Sequence, residues 1–158
     1  MAVEFKDFSI NVKTTINDTT IAWLHETANE IASQAKRNCA MDGEIGEQLR
    51  GSYRADVNDG KGEAKIGTPL EAGYWEEWGT GEYAAHGDGR NGWWVYSDKV
   101  KGNGGKQRTE RQAKAIAASD PTLHATNGRE PNYTLEKVFT KTEPKAIANL
   151  ENRLKGMG

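Results

Sequence analysis

The sequence predicts an α+β fold in which a small antiparallel sheet is packed by a long N-terminal helix and a C-terminal helix, with long loops. Three observations carry the prediction. Ile21, Leu24, Ala28, Ile31, Ala32 and Ala35 recur at helical spacing, giving one apolar stripe over residues about 18 to 38. Two strand-like runs flank Asn58-Asp59-Gly60-Lys61-Gly62, a strong turn signal, and so form a hairpin. Near the C-terminal end, apolar residues again recur at helical spacing.

Taken in order, Phe8, Ile10 and Val12 alternate with Ser9, Asn11 and Lys13, as in a strand or extended arm. Asn17 or Asp18 can cap the long helix that follows. Trp23 falls off its apolar stripe, so it touches a neighbour or packs against the sheet edge. Gly43 to Gly46 breaks that helix. Leu49 to Val57 reads as a strand with Tyr53, Ala55 and Val57 on one side, and Glu63 to Gly67 returns beside it.

Thr68-Pro69-Leu70-Glu71 has the form of a capping box. Pro69 suits the first helical position, where its missing N–H costs nothing. Leu70, Tyr74 and Trp78 share one face of the helix so begun. Gly79 is placed to stop it in a left-handed conformation, and Gly79-Thr80-Gly81 makes a tight turn.

Residues about 82 to 125 read as a loop-rich elaboration of a single domain spanning 1–158. Within it, Trp93-Trp94-Val95-Tyr96 has high strand propensity. Thr109 to Ser119 has helical composition, and Asp120-Pro121 ends it. Beyond Pro131, Leu135, Val138 and Phe139 form one face of a short helix. Thr142-Glu143-Pro144 restarts a helix whose buried side is Ile147, Leu150 and Leu154.

Composition narrows the function. Net charge is −2, which argues against a general nucleic-acid coat. The only cysteine, Cys39, excludes an internal disulfide and reads as a small residue near a helix end. The first residues lack a basic region followed by an apolar run, and no apolar stretch reaches about 18 residues. The sequence therefore predicts no membrane span and assembly in a cytoplasm.

The chemistry of catalysis is thin. His25, His86 and His124 are scattered, without a metal-ligand spacing. Glu76 and Glu77 are adjacent on a helix, so they diverge by about 100° and make a poor acid–base pair. Glu76 reads as part of a solvated face. Gly87-Asp88-Gly89-Arg90-Asn91-Gly92 lacks the Lys-Ser/Thr of a phosphate-binding loop. The sequence thus predicts neither an enzyme nor a cofactor. A hydrolase using Glu77 or His86 ranks last among the readings.

Charge is more informative. Glu71, Glu76, Glu77 and Glu82 form an acidic cluster in sequence, and residues 99 to 114 a basic one. Opposite patches on one subunit suit a head-to-tail contact that closes a ring. The basic loop, through Lys99, Lys101, Lys106 and Arg108, would alternatively face DNA phosphates in a central channel.

Three segments resemble the small neck and tail-completion proteins of long-tailed bacteriophages. In that family a helix ends in Glu-aromatic-Gly-Thr, matched here by Glu77, Trp78, Gly79 and Thr80. Ala72-Gly73 replaces the family's Tyr-Ala pair, with Tyr74 and Trp75 supplying aromatics just after it. Upstream, Gly46, Leu49, Arg50 and Ser52 look like its Thr-Gly-x-Leu-Arg-x-Ser segment, with Ile45 for Thr and one extra residue. Downstream, Thr126 to Leu135 looks like its Thr-x-Gly-x-x-Pro-x-x-Phe-Leu segment, with Thr134 replacing Phe.

The resemblance implies a structural virion protein of the head–tail junction. It would form a ring, most often six-fold, on the tail tube protein and dock to the head-closure or connector protein, leaving a DNA channel. The subunit or partner contact would fall on Tyr74, Trp75, Glu77, Trp78, Gly79 and Thr80, joined by Arg90, Trp93 and Trp94 of the loop-rich part. The alternative is a small aromatic binding module of a phage tail, with Trp93, Trp94 and Tyr96 stacking on carbohydrate. Adjacent strand residues face opposite sides, which weighs against that platform.

Overall fold

The computed structural model describes residues 8–11, 18–97 and 105–156. Two compact units are present, Met1–Glu77 with Tyr133–Gly158, and Trp78–Asn132. The stretch 82–125, set apart in the sequence as an elaboration, lies inside the second unit. The secondary structure is α+β.

In the first unit, β1 (Phe8–Asn11) and β2 (Arg54–Asn58) both pair antiparallel with β3 (Glu63–Gly67), giving the order β1-β3-β2. Register places Ala55 opposite Ile66 and Val57 opposite Ala64, so small and branched apolar side chains share one face. The β2–β3 turn closes by Lys61 N–H and Gly62 N–H donating to the Asn58 and Asp59 carbonyls. His25 Nε2 meets Asp59 Oδ1 at 2.7 Å and fixes this turn to helix α1 (Asp18–Asn38).

Helix α1 packs on β2 and β3, and α5 (Thr134–Lys155) lies along α1. The predicted stripe is buried from Leu24 to Ala35, with Ile21 at its margin. Of the two predicted caps, Asn17 lies outside the described residues, and Asp18 is the first helical residue. Trp23 is buried against α5 rather than the sheet edge, and its indole N–H donates to the Ala146 carbonyl at 2.9 Å. Trp23, Leu24, Ala28, Ile31, Leu49, Tyr53, Ile66, Leu135 and Val138 belong to one core.

Three sequence expectations are corrected here. Leu49 to Ser52 is not strand: it closes a second helix, α2 (Gly43–Ser52), and β2 begins only at Arg54. Leu49 is buried on the inner face of α2, where an alternating pattern cannot be told from a helical one over so few residues. The C-terminal section is one helix, with Pro144 in its interior. Pro144 is exposed, so the helix tolerates the lost backbone bond where water can reach the freed carbonyl. The buried side of α5 carries Leu135, Val138, Thr142 and Ala146, whereas Ile147 and Leu154 are exposed and only Leu150 packs against the core.

In the second unit, β5 (Trp94–Ser97) pairs with β6 (Leu123–Thr126), and β4 (Thr80–Gly81) with β7 (Gly128–Arg129), both antiparallel. Helix α4 (Glu110–Ala117) packs on β6 and β5 through the buried Ala113. Thr109 and Gln112 form a complete capping box at its start.

Candidate functional site

Helix α3 (Glu71–Trp78) is the centre of the predicted site. The helix starts at Glu71, two residues later than the predicted first position at Pro69, and the Thr68 hydroxyl accepts from the Leu70 N–H at 3.1 Å in the turn that leads into it. The same hydroxyl meets Ser52 Oγ, so the end of α2 and the entry to α3 are joined.

The face that α3 buries is Ala72, Gly73, Glu76 and Glu77. Leu70, Tyr74 and Trp78 are only partly covered, and Trp75 is 37% exposed. The helix therefore turns its carboxylates inward and leaves aromatic surface outside, the reverse of the usual amphipathic order.

The inward carboxylates are satisfied by main chain and hydroxyl. Glu76 is fully buried, against its sequence reading as a solvated residue. Its Oε1 accepts from Ala40 N–H at 2.6 Å and from the Thr134 hydroxyl at 3.0 Å. Glu77 is 3% exposed and accepts from Leu135 N–H at 2.8 Å and Glu136 N–H at 2.9 Å. The Glu77 backbone carbonyl also receives the Tyr133 N–H.

These bonds have a clear structural meaning. The N-cap position of α5 is Tyr133, at φ 51, and its own side chain caps nothing. Glu77 supplies the missing acceptors, and its negative charge sits at the positive end of the helix dipole. Burial pushes the Glu77 carboxyl above its ordinary range, with the Leu135 and Glu136 amides opposing that shift. The acidic cluster read from the sequence thus is not a surface patch. Glu76 and Glu77 are interior, and the exposed Glu82 binds Gly92 N–H and Asn127 Nδ2.

Glycine positions explain the surrounding motif. Gly79 has φ +73, and a Cβ there would lie 2.6 Å from the Arg129 carbonyl oxygen and 2.9 Å from Pro131. Gly81 has φ +62, and its Cβ would fall 2.1 Å from the Asn127 carbonyl oxygen. Both left-handed backbone and close approach exclude other residues. Between them, the Thr80 hydroxyl accepts from Arg129 N–H at 3.1 Å. Upstream, Gly46 lets the Met41 carbonyl pack where a Cβ would stand 1.9 Å away, and Arg50 donates to that same carbonyl at 2.7 Å.

In the second unit, Trp93 and Trp94 each lie near a cation. The Lys114 ammonium sits 5.2 Å from the Trp93 ring centroid, and the Arg90 guanidinium 5.1 Å from that of Trp94. Trp93 bridges to Arg108 through backbone N–H and carbonyl, and Trp78 stacks obliquely on His86. Lys106 is exposed and Arg108 half-buried, while Lys99 and Lys101 lie outside the described residues. Lys114 is also paired with Glu110, so this basic segment is partly neutralised.

Of the predicted contact residues, Trp75 is exposed and Tyr74, Trp78, Thr80, Arg90, Trp93 and Trp94 are half-buried. Glu77 and Gly79 are buried, and both hold the chain's own segments in place. Sequence reasoning missed the internal role of Glu76, although its neighbours Ala72 and Gly73 are the small residues a close-packed helix face requires.

Among the described residues, no group of three or more His, Cys, Asp and Glu is placed to hold a metal ion. No described helix is long and apolar enough to cross a membrane. No protein-family model matches the chain, and neither a curated protein nor a solved structure matches it.

Proposed function

We propose that this chain is a structural component of a phage head–tail junction, a ring subunit that completes the tail and meets the head connector. The observation that carries the reading is the joining of the three segments that resemble neck and tail-completion proteins. Ser52 of the first meets Thr68 at the entry to the helix of the second. Glu77, which ends that helix, caps the helix that the third segment opens at Thr134 and Leu135. Thr80 pairs with Arg129, again second segment with third. Residues scattered over the sequence thus form hydrogen-bonded pairs, as expected of motifs kept for one fold.

In this reading the protein performs geometry rather than a reaction. The outward aromatic surface of α3, Trp75 with Tyr74, supplies apolar area for a subunit contact, because an exposed Trp beside a Tyr is the residue pattern that dominates interface energetics. The glutamates beneath hold that helix rigid. Partners are further copies of the chain, the tail tube protein and the connector, with DNA passing through the ring.

Trp75→Ala tests the contact. The variant should melt within a few degrees of wild type, since the side chain is partly exposed. It should lose assembly, read by native mass spectrometry and by the yield of tailed, infectious particles. Normal particles from a folded variant would exclude Trp75 from the contact.

A further inference from the structure

Helix α5 segregates its charges. A step of four residues advances a helix by about 400°, so Glu143, Ile147 and Glu151 form one row. Lys141 and Lys145 form a second row, roughly 220° from the first measured across the buried side of the helix. The buried Val138, Thr142 and Ala146 lie between them. One flank of the helix is therefore acidic and apolar, the other basic, and all five side chains are exposed. Ile147 is 48% exposed, and Leu154, on the same flank, is 38% exposed.

Ordinary solvated helices mix their charges, because Glu–Lys pairs four apart add stability. Here the spacing does the opposite. Lys141 and Lys145 repel mildly along their row, and Glu143 has no lysine three or four positions away; Glu151 alone has one, Lys155, at the end of the helix. Two large apolar side chains on the acidic flank, Ile147 and Leu154, are also exposed.

We infer that α5 supplies a head-to-tail contact between copies of this chain: the Glu143–Ile147–Glu151 row of one subunit lies against the Lys141–Lys145 row of the next. The two rows face opposite sides of the same helix, so each subunit presents both halves of the contact. That arrangement is heterologous and propagates round a ring, whereas a two-fold contact centred on either row would set like charges together. Rows of residues four apart also provide the ridges by which helices interlock side by side. The inference rests on the ring reading above and adds a surface to it.

The test is a charge swap in the full chain. K141E/K145E leaves both flanks acidic. E143K/E151K leaves both basic. Combining all four substitutions exchanges the flanks and restores complementarity. Association is read by native mass spectrometry over a concentration series, in solution and on purified phage tails, with circular dichroism confirming that each variant is folded.

The expected result is at least a tenfold rise in the concentration for half-assembly in each two-residue variant, with recovery in the four-residue variant. Rings that form equally well in K141E/K145E would overturn the α5 contact and leave the ring reading standing. A wild-type chain that stays monomeric in solution and on tails would overturn both.

Discussion

Glu77 caps the helix that Leu135 enters, accepting its N–H at 2.8 Å across 58 positions of sequence. A helix start normally finds its cap within a few residues. Here Tyr133 takes a left-handed conformation, φ 51, and offers no side-chain acceptor. The cap comes instead from α3, so the two helices are bonded directly to each other.

The burial of this carboxylate makes stability depend on pH. The Glu77 pKa is raised in the folded protein above its ordinary value near 4.5, first by desolvation. A raised folded pKa means that the folded state binds its proton more readily than the unfolded chain does. The contribution of this group is then fully present below about 4.5 and is lost as pH rises through the folded pKa. Glu77→Gln is a neutral isostere that removes that dependence, so its stability should stay flat over the pH range in which wild type changes. Urea unfolding at several pH values should show wild type gaining on the variant as pH falls toward 4.5.

Glu76→Ala removes the acceptor of the Ala40 N–H and the Thr134 hydroxyl together. The buried Thr134 hydroxyl and the part-buried Ala40 amide lose this acceptor and a cavity is left, for a loss of about 2–4 kcal/mol. Denaturant midpoints at unchanged m-value provide the measurement. A loss under about 0.5 kcal/mol would return Glu76 to the solvated role its sequence context implies.

Gly81→Ala strains the second unit. The left-handed backbone and the 2.1 Å approach to the Asn127 carbonyl oxygen must both give. The cost should be about 2 kcal/mol or more. It should appear as faster hydrogen exchange at the Glu82 N–H, which donates to Asn127.

Pro144→Ala should stabilise the protein. Pro144 sits in the interior of α5 and is exposed. Alanine restores an amide to the helix ladder and relieves the ring's crowding of the preceding turn, for a gain of about 1–2 kcal/mol. An unchanged melting temperature would mean that the helix is already bent to accommodate the ring.

Soluble glycans at millimolar concentration should leave the Trp fluorescence of wild type unchanged. Lys114 and Arg90 sit over the rings of Trp93 and Trp94, covering surfaces that a sugar would stack on. Saturable quenching would revive the carbohydrate-binding alternative.

The sequence by itself determined what depends on local pattern. The stripe from Leu24 to Ala35 fixed α1, because burial on one side of a helix leaves a period that composition cannot hide. The Asn58–Gly62 turn fixed the hairpin, since few residues accept its backbone angles. The Trp93–Tyr96 run and the Thr109 to Ser119 helix were legible for the same reason.

Only the tertiary structure decided where side chains of ambiguous character go. Glu76 reads as a solvated residue, and Glu77 as part of a subunit or partner contact, because charge is expensive to bury without a partner. They are interior because Ala40, Thr134, Leu135 and Glu136, remote in sequence, bring donors to meet them. Ile147 and Leu154 read as core, yet α1 covers the neighbouring face of α5, where Trp23 reaches the Ala146 carbonyl. Local sequence specifies a helix and its faces. Which face is buried depends on partners that the chain brings together only when it folds.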